Sequence, residues 1–264
     1  MSLQLHFADP GEAADLAAFL GRLVRYDRAA AVRLQAGGGA LAVFGRPPSF
    51  DVLAIRTVRL AEPAAMPLDV TVSAGELLES VDEEAAAALV PAAVTGPPWA
   101  GVLPPRGGWQ QVPGLPGPAA IGAAVAGAVA EFRARDEALP PQHRTRSQRD
   151  RIGREIWSRT LGDTDLPLRA VHAAHSLGFL RPARATVPAG PAEAAASAAA
   201  GSAAAGSAAA GSAAAGPAAG APDAAVALLA SGGWLRLRTP YGSIALRRPG
   251  AVAGLGALQV RPVR

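Results

Sequence analysis

Residues 30–44 read AAVRLQAGGGALAVF, and the fold turns on how that stretch is taken. Gly37-Gly38-Gly39 separates two short apolar segments, Ala30–Leu34 and Ala40–Phe44, which predicts a β-hairpin. Nucleotide-binding glycine loops open onto a helix N-terminus and this one does not, so the triplet is a turn before it is a phosphate cradle. The pattern continues outward. After the Arg46-Pro47-Pro48 turn, Val52–Leu60 predicts a third strand. Leu68, Val70 and Val72 then alternate with Asp69, Thr71 and Ser73, a fourth strand with one wet face.

Helix signals bracket these strands. Asp9-Pro10-Gly11-Glu12 puts Asp at N-cap, Pro at N1 and Glu at N3, and Leu16, Phe19, Leu20, Leu23 and Val24 follow as an amphipathic stripe. Ser73-Ala74-Gly75-Glu76 is a second capping box. Leu77, Leu78, Val81, Ala85, Ala88 and Leu89 predict the helix it opens, with Asp82, Glu83 and Glu84 at its exposed turn. Residues 1–90 are therefore expected to form an α-ββββ-α domain, helices on one face of an antiparallel sheet.

Beyond residue 90 the character changes. Residues 91–118 form a Pro/Gly/Trp-rich crossover; with Val90 the stretch holds 8 Pro and 6 Gly around Trp99 and Trp109. It cannot be helix or central strand, and two indoles are costly to leave in water, so an ordered loop across the first domain is expected. Residues 119–187 read as a helical region. One helix is marked by Ile121, Val125, Ala128, Val129 and Phe132. A second spans Arg144–Leu161 with Ile152 and Ile156 inward. A third follows Asp165 as N-cap and ends at Gly178. Residues 188–225 are low complexity, with S-A-A-A-G repeated four times over Ser197–Gly216, and read as a flexible linker. Residues 226–264 read as a basic β-hairpin and tail. Trp234–Arg238 and Ser243–Arg247 flank the turn Thr239-Pro240-Tyr241-Gly242. A lone hairpin is marginal in water, so it must join the helices or extend the first sheet. The fold class expected is α+β, with an N-terminal α-ββββ-α antiparallel domain, then a helical region completed by the C-terminal hairpin.

The alphabet of the 264-residue chain excludes several chemistries. All 25 basic residues are Arg; Lys, Cys and Asn are absent. A disulfide, a zinc–thiolate site, a thiol nucleophile, a Schiff-base lysine and a P-loop are thereby ruled out. The formal charge of +4 hides an asymmetry. Residues 1–140 carry 10 Arg against 15 Asp and Glu, whereas residues 141–264 carry 15 Arg against 6. No signal-peptide pattern opens the chain, and its most apolar run, Ala119–Ala130, is shorter than the ~20 residues that span a bilayer. A cytoplasmic protein without a membrane partner is expected.

Candidate chemistry is sparse. His172 and His175 form H-x-x-H on the third helix, spacing that could hold a metal. Leu168, Val171 and Phe179 share that face, and Asp163, Asp165 and His143 are third-ligand candidates that no spacing singles out. There is no G-x-S-x-G, and His6 and His143 lack recognisable partners. No catalytic residue, metal or cofactor is assigned. The sharpest charge feature is Arg144, Arg146, Arg149, Arg151, Arg154 and Arg159; Arg236, Arg238, Arg247 and Arg248, with Trp234, add a second basic set. Three helices followed by a basic hairpin outline a winged helix, the hairpin as wing. Against this, the 144–159 arginines scatter around the helix axis. The reading preferred on sequence is a non-enzymatic protein-binding or adaptor protein. The alternative is Arg-mediated nucleic-acid binding through those eleven residues, and a metal-dependent enzyme using His172 and His175 comes third.

F-A-D-P…E-A-A-D-L (Phe7 to Leu16), F-D-V-L-A (Phe50–Ala54) and W-L-R-L…Y-G-S (Trp234–Ser243) resemble an uncharacterised group of actinobacterial proteins. The resemblance implies lineage and single-family membership and carries no activity. It agrees with the alphabet, since Arg, Ala, Gly and Pro have GC-rich codons while Lys and Asn have AT-rich ones.

Overall fold

The computed structural model describes residues 3–64, 66–181 and 226–248. The expected linker, 188–225, and the tail after Arg248 lie outside the described residues. The hairpin of residues 30–44 is β2 (Ala31–Gly37) and β3 (Ala40–Gly45), paired antiparallel from Val32↔Gly45 to Gly37↔Ala40. Gly38 in its turn has φ 61°, the left-handed region that glycine enters without a Cβ clash. β4 (Leu53–Arg59) pairs with β3, and β5 (Leu68–Ser73) pairs with β2. α1 (Pro10–Tyr26) starts where the cap predicts, with Asp9 Oδ1 accepting from Glu12 N at 3.0 Å.

The stripe from Leu77 to Leu89 is not one helix. α2 (Ala74–Glu79) ends after six residues. The chain then reverses through β6 (Val81–Asp82) and β7 (Ala87–Leu89), and β7 pairs on its other side with β1 (Gln4–His6) in a separate three-stranded sheet. Local bonds stop the helix: Ser80 Oγ sits 2.8 Å from the Leu77 carbonyl and 2.7 Å from that of Leu89, and Asp82 Oδ1 accepts from Ala85 N. Asp82, Glu83 and Glu84 consequently occupy an exposed hairpin tip. The backbone partner of β7 comes from the far N-terminus, so tertiary pairing overrides the local helical period.

The crossover is ordered. It leaves the β5 edge with Val94 N donating to Thr71 O, makes a single 3-10 turn at Pro98–Gly101, and ends as β8 (Gln110–Val112). The helices that follow are α3 (Pro118–Glu137), α4 (Arg146–Trp157) and α5 (Leu168–Ser176). Asp165 is not the cap of α5; Pro167 stands at that position, and Asp165 lies 3.5 Å from Arg248. Buried Thr164 makes the tight turn before α5, donating to the Leu161 carbonyl and accepting from Leu166 N. Gly178 follows the helix end with φ 73°, as its position predicts.

β9 (Ala227–Ser231), β10 (Trp234–Thr239) and β11 (Gly242–Arg247) complete the second sheet. Its order is β5-β2-β3-β4-β11-β10-β9-β8, every neighbouring pair antiparallel. β11 pairs with β4 from Ser243↔Ile55 to Ala245↔Leu53, so the C-terminal hairpin extends the N-terminal sheet. Both its strands are interior, unlike the free hairpin that a winged helix presents. One face of this sheet (Val32, Leu34, Val43, Val58, Leu235, Leu237, Ile244) shares a core with Leu16, Phe19 and Leu20 of α1, Ile152 and Ile156 of α4, and Val171 of α5. The molecule is α+β with antiparallel sheets. Among the described residues no helix is long and apolar enough to cross a membrane.

Candidate functional site

Arg56 takes an inward position on β4, between Ala54 and Val58, and its side chain is only 7% exposed. Its Nη2 lies 2.8 Å from Glu12 Oε2 and 3.4 Å from Asp15 Oδ2, while Nη1 donates to Tyr241 O at 2.9 Å. Arg181 pairs with Asp15, and its guanidinium lies 4.0 Å from the Tyr241 ring centre. Arg59 reaches Asp9 and Glu12 from the rim. Each α1 carboxylate is thus committed to a guanidinium. The cluster fastens α1 and β4 to the turn between β10 and β11. Sequence reading missed it, although one signal was present: a charge at an inward strand position, with Glu12 and Asp15 one turn before Leu16 and Phe19.

The H-x-x-H pair does not converge. His172 is half-buried, stacked on Trp157 at 4.3 Å between ring centres and edge-on to Phe50 at 5.3 Å. His175 is exposed. Phe50 itself is turned inward between Ser49 and Asp51, both at positive φ (72° and 51°). Such backbone strain persists only where the surroundings hold it, and here the aromatic stack does so. No group of three or more His, Asp or Glu suited to a metal occurs among the described residues. Desolvation, then the nearby His175, pulls the His172 imidazole below its ordinary value of 6.5. A group whose pKa is depressed on folding takes up its proton more readily in the unfolded chain. The His172 contribution to stability is therefore complete above pH 6.5 and declines as pH falls below it. Urea unfolding of the wild type should show that decline, and His172→Phe should flatten it. A rise in stability on acidification would instead mean that attraction of the imidazolium to the Trp157 face outweighs burial.

Two of the basic residues in the 144–159 segment pair with carboxylates of α3. Arg149 pairs with Asp136 at 2.7 Å, and Arg159 with Glu131 at 2.6 Å. Arg135, then Arg159, hold the Glu155 carboxylate down to about 2 through hydrogen bonds. Arg144 donates to the carbonyls of Glu137 and Leu139 near the end of α3. Arg146 is almost fully exposed, 3.9 Å from Asp150. Arg151 and Arg154 are exposed and make no ion pair among the described residues.

Trp234, Arg236 and Arg238 lie on the other side of the sheet. They alternate with Leu235 and Leu237, which face the core that α4 also covers, so the sheet itself stands between them and the α4 arginines. Arg247, beside Trp234 in register, lies over its ring at 4.5 Å. On this outer face Phe44, Leu53, Ile55, Trp234 and Ala245 form a second apolar cluster beneath Trp99, Leu103 and Trp109 of the crossover. The crossover is a strap. It is pinned by Arg33 donating to Ala100 O and by Ser231 Oγ donating to Gly107 O at 3.1 Å. Trp109 Nε1 donates to Pro105 O, and Arg236 lies 5.8 Å from the Trp109 ring centre. Arg248 turns aside to Asp165. Where the strap leaves β5, an open depression of about 420 Å³ is lined by Asp27, Arg46, Ser73 and Trp99.

Residues 1–101 match a domain of unknown function, DUF8010, and residues 104–251 match a second domain of unknown function, DUF8185. Two families, not one, account for the chain, and their boundary falls within the strap between Trp99 and Trp109. No curated protein and no solved structure matches. With more than half of its 264 residues matched, the chain belongs to the DUF8185 family.

Proposed function

We propose that the protein is a non-enzymatic, cytoplasmic protein-binding or adaptor protein that engages its partner through the outer face at β10 and β11. One observation carries this reading: two arginines, Arg247 and Arg236, lie over the rings of Trp234 and Trp109 on a single sheet face. Trp and Arg are the residue types that concentrate binding energy at protein interfaces, and a guanidinium resting on an indole loses less freedom when it binds. The scaffold under this face is held by the β4–β11 ladder and, on its inner side, by the Arg56 cluster.

Nucleic-acid binding is the second reading, favoured by exposed Arg151 and Arg154, which make no ion pair among the described residues. It is weaker because bases stack on open aromatic faces, whereas Trp234 is 7% exposed beneath Arg247. Affinity capture on the full chain, followed by calorimetric titration of the recovered protein, tests the proposal. Saturable one-to-one binding is expected. A turnover that survives successive purification steps with no protein partner would overturn it. Nucleic-acid affinity that falls steeply with salt, through counterion release, would replace it with the second reading.

A further inference from the structure

Residues 95–118 and 226–248 hold Arg106, Arg236, Arg238, Arg247 and Arg248 and no Asp or Glu. Arg248 pairs with Asp165, but Arg236 is different. It is half-buried, its Nε is enclosed without a hydrogen-bond acceptor, and no carboxylate pairs with it among the described residues. Two residues along the same strand face stands a second cation, exposed Arg238. Burial, then Arg238, draws the Arg236 guanidinium below its ordinary range, the reverse of Arg33, Arg135 and Arg159, whose carboxylate partners raise them. A desolvated charge without a counter-ion is costly, and an arriving anion relieves that cost.

The geometry restricts which anion fits. Alternate residues on a strand stand ~7 Å apart, and so do alternate residues of an extended peptide. Carboxylates at every second position of such a peptide therefore meet Arg236 and Arg238 in register, and each guanidinium fork can take a carboxylate through two hydrogen bonds. Phosphates on a single nucleic-acid strand have comparable spacing, but their bases would find the Trp234 face already taken by Arg247.

We infer that the outer face of β10, at Arg236 and Arg238 beside Trp109, docks an extended acidic segment of a partner protein with carboxylates at alternate positions. This rests on the protein-binding reading and specifies the partner's chemistry. The test uses the full chain and three probes: a short synthetic peptide alternating Glu and Thr, its Gln/Thr counterpart, and a thymidine oligonucleotide of equal charge. Intrinsic tryptophan fluorescence reports occupancy, because the Trp109 ring lies 5.8 Å from Arg236 and Trp99 and Trp234 belong to the same outer-face cluster. The Glu/Thr peptide should bind, weaken as salt rises, and lose at least about tenfold in affinity in Arg236→Gln/Arg238→Gln. Arg238→Gln alone, an exposed change that leaves the fold intact, should lose part of it. Arg151→Gln/Arg154→Gln, across the sheet, should match the wild type.

Equal binding of the Gln/Thr peptide, tighter binding of the oligonucleotide, no binding of the acidic peptide, or indifference to the Arg236 and Arg238 changes would each overturn the inference. The two levels separate cleanly. A captured protein partner whose affinity ignores Arg236→Gln/Arg238→Gln refutes the acidic-segment site and spares the protein-binding reading. Absence of any protein partner refutes that reading itself.

Discussion

Arg56→Ala is expected to destabilise the protein by about 3–5 kcal/mol, the range found when one partner of a buried ion pair is removed. The loss is large because three acceptors depend on this one guanidinium: Glu12, Asp15 and the Tyr241 carbonyl. Asp15 retains Arg181 and Glu12 retains Arg59, which keeps the effect within that range. The Tyr241 carbonyl loses the donor that ties the β10–β11 turn to β4. Arg59→Ala is the matched control. Its side chain is 54% exposed, so its pairs with Asp9 and Glu12 are worth about 1 kcal/mol or less. Urea denaturation of both variants measures the contrast. Equal midpoints would mean that the Arg56 cluster is no clasp.

Phe179→Ala is expected to cost a similar amount, about 3–5 kcal/mol, by leaving a cavity that its surroundings cannot close. The ring is 2% exposed, and its centre lies 5.5 Å from that of Phe19 on α1. It also lies against Gly242, where a Cβ would come within 2.7 Å of the ring. α1 belongs to the first matched region, Phe179 and Gly242 to the second, and the β4–β11 ladder fixes both sides. Thermal unfolding should show one transition displaced downward as a whole. A shift confined to part of the unfolding signal would show that Phe179 supports only its own region.

Both residues lie where sequence reading was weakest, and for a physical reason. The Arg46 turn, the caps at Asp9 and Ser73 and the alternation through Val72 are local signals, and the elements they announce are present. β1, β6, β7 and β8 are two or three residues long, too short for any periodicity, and exist because distant strands offer them ladders. The 74–89 stripe read as helix for the same reason: Leu and Ala at those spacings suit either state, and the β1 backbone decides. Arg56 finds Tyr241 across 185 residues. At the candidate face, strand alternation sets Trp234, Arg236 and Arg238 opposite Leu235 and Leu237. What sequence could not supply was the anion inventory. Glu131 and Asp136 on α3 pair with Arg159 and Arg149, while no carboxylate pairs with Arg236 among the described residues.

The two matched regions should form one cooperative unit, joined by β4–β11 pairing, the Arg56 cluster and the Phe179 contact, that holds the Arg/Trp face in place. Scanning calorimetry of the full chain tests this directly. It should give a single transition whose calorimetric and van't Hoff enthalpies agree. Two resolved transitions, with the region of residues 1–101 and that of residues 104–251 unfolding separately, would contradict it.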